Sequence, residues 1–236
     1  MRTSRVHELH RRRSSSDWKS RLFRLLQPPL PFVPDPGELR VVAPLGRWNL
    51  YIGGAGNSVD GYVNVDVVAL PGVDVNASAE RLPFPDRLFQ RVECDAVLEH
   101  VEHPEQVVAE ILRVLAPGGY AHFVVPFCHP FHEYPRDYRR YTLDGLRQLA
   151  GGMEVVAAGW RTGPTATLLV FLMEYVKVWL PWKPARAIAH GVLGWLLFPL
   201  RYLDVPLRGS DRAGRIGNHC YLWLRKPLET SVNADS

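Results

Sequence analysis

The chain is poor in cysteine: Cys94, Cys128 and Cys220 are the three among 236 residues. None stands in C-x-x-C spacing, which excludes a disulfide framework and a cysteine-based zinc site. An odd, scattered set suits a reducing, cytoplasmic setting. No apolar stretch of about 18 residues is free of charge, which argues against a simple membrane span. The amino-terminal arginines are followed by no apolar h-region, so no secretory signal is expected. A basic folded surface is also missing. Residues 1–26 hold eight Lys/Arg against two Asp/Glu, leaving 20 against 22 in the rest of the chain. The basic balance belongs to a tail, and nucleic acid is not expected as a partner. What is present, 47% hydrophobic and 22% charged residues, is ordinary for a globular protein.

The length suits one catalytic-size domain with an appendage. Residues 1–37 read as a basic tail and a linker. Trp18, Leu22, Leu25 and Leu26 have the spacing of one short helix in the tail, whose alternative role is contact with an anionic membrane or a partner. Residues 27–37 carry five prolines and read as a stiff linker. From residue 38 to 158 strand-like and helix-like stretches alternate. Strands are expected at Trp48–Ile52, Val63–Val68, Val73–Val75, Arg91–Val97 and Tyr120–Val125, with late strands at Met153–Ala158 and His219–Arg225. The clearest helix is Pro104–Leu115, with Pro104 and Glu105 suiting its first turn. A second helix, Thr142–Ala150, is capped by Thr142 and stopped by Gly151 and Gly152. This alternation predicts an α/β fold with a mainly parallel sheet.

The stretch LYIGGAGN (50–57) runs a strand straight into Gly53, Gly54 and Gly56, where backbone N–H groups can approach a ligand. Asp66, at the end of the next strand, can accept hydrogen bonds from both hydroxyls of a ribose. Together they describe a nucleoside site at the carboxyl edge of a sheet. A dinucleotide is disfavoured. Val59 stands where the fingerprint needs its third glycine, and six residues between Gly56 and Val63 are too few for a crossover helix. Asp74, about 20 residues after Gly54, does not restore that reading.

Four blocks, LYIGGAGN (50–57), GYVNVD (61–66), AERLPFPDRLFQRV (79–92) and AVLEHVEHPEQVVAEILRVLAPGG (96–119), resemble the class I S-adenosylmethionine-dependent methyltransferases, in particular the type 11-like group. The resemblance covers about residues 48–150 well. It implies a Rossmann-like sheet, mainly parallel with a late antiparallel strand, and S-adenosyl-L-methionine as cofactor. It implies that Gly53, Gly54 and Gly56 line the methionine end and that Asp66 holds the ribose. The segment of Ser78 and Ala79 would meet the adenine, with Ser78 standing where the family often has an Asp. Glu80 reads as a surface or helix-entry residue.

Methyl transfer from a sulfonium is in-line displacement, dominated by positioning, with a base needed only where the nucleophile must lose a proton. The resemblance places substrate-facing groups after the fourth and fifth strands. After the fourth come Glu99 and His100, able to orient the cofactor or a substrate hydroxyl; the alternative is that His100 only caps backbone. After the fifth comes PFCHPFHEYPRDYRRYT (126–142), whose polar aromatic density suggests a site lip. His100 and His132 are the candidate catalytic residues, and Glu99, His129, Tyr138 and Arg139 the candidate substrate contacts. Arg136, Arg139 and Arg140 suit an anionic group, or pairing with Asp137 and Glu133. No metal is expected: residues 129–133 are not H-E-x-x-H, and Pro126, Pro130 and Pro135 forbid the helix that would put two histidines on one face.

Residues 159–218 separate the late strands and read as an insertion, with residues 219–236 returning to the core. Thr165–Leu180 and Ala185–Leu203 are apolar. Sixteen helical residues reach about 24 Å, short of a bilayer core of about 30 Å. A helical hairpin capping the cleft is expected, with a membrane-surface platform as the alternative; Trp179, Trp182 and Trp195 suit either. The expectation is therefore a methyltransferase acting on a small-molecule or lipid-like acceptor, cytoplasmic or peripheral to a membrane. The alternative is a non-catalytic relative serving as a scaffold. Oligomeric state and the methylated atom do not follow from the sequence.

Overall fold

A computed structural model describes residues 38, 41, 43–56, 58–133 and 136–228. The tail, its expected short helix and the proline linker lie outside the described residues. Seven strands form one sheet: β1 (Asn49–Ile52), β2 (Val63–Asp66), β3 (Val75–Asn76), β4 (Phe89–Asp95), β5 (Leu115–Pro126), β6 (Glu154–Trp160) and β7 (His219–Arg225). Their order is β3-β2-β1-β4-β5-β7-β6. β1 to β5 pair in parallel. β7 runs antiparallel to both β5 and β6. The order reverses between β1 and β4, and in such sheets ligands bind at the carboxyl ends of the strands beside that switch.

Helix α1 (Pro104–Val114) forms where expected, with proline in its first turn and Glu105 at its positive end. Val107, Val108, Ile111 and Val114 turn inward onto Phe89, Val92, Phe123 and Val125. Leu115, expected on that helix, instead has extended backbone and begins β5. Helix α2 (Leu143–Leu149) carries the expected cap: Thr142 Oγ1 accepts the Gly145 N–H at 3.0 Å. No helix joins β1 to β2; among the described residues 53–62 there are only turns and irregular backbone. β4 ends two residues earlier than expected because Ala96 takes φ +54° and swings the chain out of the sheet.

Between β6 and β7 stand α3 (Pro164–Val178), α4 (Lys183–Leu197), a 3-10 segment (Phe198–Leu207) and the short α5 (Asp211–Gly214). The second apolar stretch does not run as one helix to Leu203. Pro199 has no N–H to donate and crowds the preceding turn, and the α-helix gives way there. Buried Asp204 returns from the 3-10 segment to accept the Thr165 and Ala166 N–H groups at 2.8 and 3.1 Å, joining that segment to the first turn of α3. No described helix is long and apolar enough to cross a membrane.

Candidate functional site

The ends of β1, β2 and β4 enclose a cavity of about 330 Å³. Gly53, Asp66, Ser78, Ala79, Val97 and His100 lie on its wall. Gly53 N–H donates to Val65 O at 2.9 Å with φ +81°. A Cβ there would come within 2.2 Å of Val97 Cγ2, so the turn needs glycine both for its backbone angle and for its space. Gly54 and Gly56 continue the turn, Gly56 at φ +82°. Asp66 is buried and spends one hydrogen bond per oxygen on the surrounding loops: Oδ2 accepts Ala55 N–H and Oδ1 accepts Val68 N–H, each at 2.9 Å. An ionised carboxylate has about four lone-pair sites, so each oxygen keeps acceptor capacity for a hydroxyl. Ser78 Oγ accepts Glu80 N–H at 3.2 Å. The tight turn at Gly53, the buried acceptor pair and the largely apolar side opposite fit S-adenosyl-L-methionine. Gly53 would take its methionine end, Asp66 its ribose and Ser78–Ala79 its adenine.

Asp74 has a different role from a ribose ligand. Its Oδ2 accepts from Asn64 N–H at 2.8 Å and from Asn64 Nδ2 at 3.1 Å, fixing the start of β2. Glu80 works as a helix-entry residue, its Oε1 accepting the N–H of His103, which caps α1, at 3.1 Å.

The 126–142 loop folds back over the turn after β4. Tyr138 N–H donates to Glu99 O at 2.8 Å, and Tyr141 Oη–H donates to Leu98 O at 3.0 Å. Two expected substrate contacts, Arg139 and Glu99, have partners or surroundings of their own. Arg139 donates to Val101 O at 2.7 Å and to Glu102 O at 2.8 Å, so its guanidinium straps the loop to the chain. Glu99 lies off the cavity wall, wholly buried, with both carboxyl oxygens lacking a hydrogen-bond donor. Burial, reinforced by Asp95 and Asp137, pushes its carboxyl up to about 8. Tyr138 does line the cavity, its hydroxyl donating to Glu102 Oε1 at 2.6 Å.

The histidines gather from both segments. His100 Nδ1 meets Arg136 O at 2.5 Å; a carbonyl only accepts, so Nδ1 is the donor. His132 packs edge-on against His100, with ring centroids 4.9 Å apart, and against His129 at 4.6 Å. His129 Nδ1 meets Pro130 O at 2.8 Å. Burial pushes His129 and His132 down from the usual histidine range, and pushes His219, beside His129, down to about 3. Those three rings are held toward the neutral form. Of the two readings of the loop arginines, Arg140 takes the pairing one. Its guanidinium grips Asp137 and, through that hydrogen bond above all, holds the carboxylate down to about 2.

One polar constellation was not anticipated. Glu38, Glu93, His122, Arg91, Arg161 and Asp95 form a chain of ion pairs around a second cavity, away from the cofactor wall. His122 Nδ1–H donates to Glu93 Oε2 at 2.7 Å, and its ring stacks on Trp223 at 4.1 Å. Glu93 and His122 lie directly opposite each other in the β4–β5 register, a pairing that only the folded sheet brings about.

The comparisons agree with this geometry. A family model described as "Methyltransferase domain" matches residues 60–123. Demethylmenaquinone methyltransferase of Renibacterium salmoninarum is 30% identical over 182 residues, spanning 70% of this chain and 72% of that protein. Ubiquinone/menaquinone biosynthesis C-methyltransferase of Stutzerimonas stutzeri is 41% identical over 73 residues, 30% of this chain and 28% of that one. Among solved structures, the 4+2 cyclase SpnF superposes with a TM-score of 0.51 at 18% identity, covering 91% of this chain and 85% of its own. A likeness at that identity speaks for the fold alone. The match to most of a curated methyltransferase goes further, and on it the chain belongs to the class I S-adenosyl-L-methionine-dependent methyltransferases.

Proposed function

We propose that the chain methylates a lipid-like small molecule reached from a membrane surface. The observation that carries this reading is the insertion. α3, α4 and the 3-10 segment are apolar, yet Phe171, Val178, Trp179, Trp182, Trp195 and Leu196 are all exposed. Of α3 only Pro164, Ala166, Thr167 and Leu169 are buried, and of α4 only Gly194. A soluble monomer seldom leaves so large an apolar face in water, and exposed tryptophans suit the membrane–water interface. None of the insertion's residues lies on the cofactor wall, which favours the platform over the cap. The names of the relatives, which concern quinones, support an acceptor with an apolar tail. His100 and His132 stand at the acceptor end, next to the cavity that holds the methyl donor.

The test is incorporation of a labelled methyl group from S-adenosyl-L-methionine into bacterial lipid extracts carried on anionic vesicles. Label in the organic phase, together with co-sedimentation that Trp179→Glu plus Trp182→Glu reduces at least tenfold, is the expected result. Label confined to water-soluble acceptors, with no vesicle binding, would refute the proposal.

A further inference from the structure

Glu99 is wholly buried, and neither carboxyl oxygen meets a donor among the described residues. A buried carboxyl left so costs about 1–3 kcal/mol, and more when charged. A carboxylate in this position calls for a positive partner, yet Arg140, the nearby cation, is turned to Asp137. What faces Glu99 is a pair of imidazoles. His100 Nε2 lies 3.7 Å and His132 Nε2 3.9 Å from the same Glu99 Oε1. His100 Nδ1 is bonded to Arg136 O, and the Asp137 carboxylate lies near His132 Nδ1, at 3.5 Å. His100 is thus held through Nδ1 by a carbonyl, which is how metal-binding histidines are oriented, whereas His132 Nδ1 is buried without a hydrogen bond among the described residues. One donor atom from each of the three residues falls within 4.8 Å of the others.

The distances suit an ion. Nitrogen and oxygen ligands at about 2.0–2.1 Å from a tetrahedral centre stand about 3.3 Å apart. The two separations to Glu99 Oε1, 3.7 and 3.9 Å, reach that value by closing about half an ångström, and the two imidazoles lie within 4.8 Å of each other. Two imidazoles and one carboxylate select transition ions over magnesium and calcium, which prefer all-oxygen sets.

We propose that Glu99, His100 and His132 hold a divalent transition-metal cation whose open positions face the acceptor side of the cavity that His100 lines. A hydroxyl or phenolic oxygen of the acceptor would be its next ligand, so the cation would stabilise that oxygen as an anion beside the methyl donor, its proton released to solvent. This role toward the acceptor rests on the proposed function; the binding site itself does not.

The experiment uses the chelator-stripped full chain titrated with Co²⁺, without cofactor or acceptor. Visible d–d absorption reports coordination, and metal analysis after gel filtration reports stoichiometry. One equivalent bound with saturable d–d bands is expected. Glu99→Gln, nearly isosteric in its buried site, and His132→Ala, at a half-exposed position, should each weaken binding at least tenfold. His103→Gln, which removes an exposed histidine, should leave it unchanged. Folding of each variant is checked by circular dichroism. Absence of saturable binding, or binding that persists in folded Glu99→Gln and His132→Ala, overturns the site. Vesicle binding and lipid labelling are read separately, so failure of the metal site and failure of the acceptor reading are distinguishable.

Discussion

Asp66→Asn tests the cofactor site most sharply, because it keeps the volume of the side chain and changes one oxygen into an amino group. Both oxygens are in use in the free protein, one on Ala55 N–H and one on Val68 N–H. Asparagine can satisfy one of these donors and turns its own N–H groups toward the other. A hydrogen bond to a charged group contributes about 1.5–3 kcal/mol, and a neutral one about 0.5–1.5 kcal/mol. Losing one charged bond and weakening the second comes to about 2–3 kcal/mol. Part of this falls on the turn itself, since Ala55 is held at φ +50°, an angle non-glycine residues avoid. The bound state loses again, because the ribose would find one acceptor where it had two. We therefore expect affinity for S-adenosylhomocysteine to fall by about 2–3 kcal/mol, roughly 30- to 150-fold. The melting temperature of the free protein should drop by about 4–12 °C for a chain of this size. Titration calorimetry reads the first quantity and a thermal scan the second. A loss of affinity below threefold with an unchanged melting temperature would refute both roles of the carboxylate. Loss of stability with intact affinity would leave only the structural role.

Three further outcomes are expected. Gly53→Ala should abolish measurable cofactor binding, because its Cβ would meet Val97 Cγ2 at 2.2 Å and the backbone sits at φ +81°; calorimetry with S-adenosylhomocysteine checks it. Burial works against the charge on His122, but the Glu38 and Glu93 carboxylates outweigh it and raise the ring above its usual range. Its contribution to stability should be complete below about pH 6.5 and vanish as pH rises through the raised value. Urea midpoints should therefore decline above neutrality in the natural chain, and a parallel decline in His122→Gln would contradict this. Asp204→Ala removes the acceptor for two N–H groups at the start of α3, and Gly163→Ala would push a Cβ to 2.4 Å from Asp204 Cγ. Both should speed amide exchange across residues 164–178, by about 2–3 kcal/mol of local opening, and leave exchange in β1 and β4 unchanged.

Local rules carried much of the fold. Pro104 and Glu105 opened α1, Thr142 capped α2, and the six-residue gap after Gly56 excluded a crossover helix; the structure keeps each. Gly53 and Asp66 were legible because a tight turn after one strand and a carboxylate at the end of the next are properties of short segments. Element ends were less so. β4 stops at Asp95 because Ala96 adopts a positive φ that its own side chain does not favour, under a hydrogen bond from its N–H to Val124 O. That bond exists only once β5 lies alongside. Arg139 reads in sequence as a cation for an anionic group or for Asp137 and Glu133, and only the fold shows the Val101 and Glu102 carbonyls that it binds.

The sequence by itself determined an α/β sheet, a glycine turn with an acidic partner, and two apolar helices set between the last strands. These follow from periodicity, caps and turn residues, which act over a few positions. The tertiary structure alone decided that Glu99 and His100 face His132, more than thirty residues away. β4 and β5 pair in parallel, so their carboxyl ends open on the same edge, and the loop after β5 folds back onto the turn after β4. A search for metal ligands within residues 129–133 could not find this set, because its carboxylate comes from the other strand. The pairing of Glu93 with His122 has the same origin. Register across a sheet brings together side chains whose separation along the chain carries no trace of it.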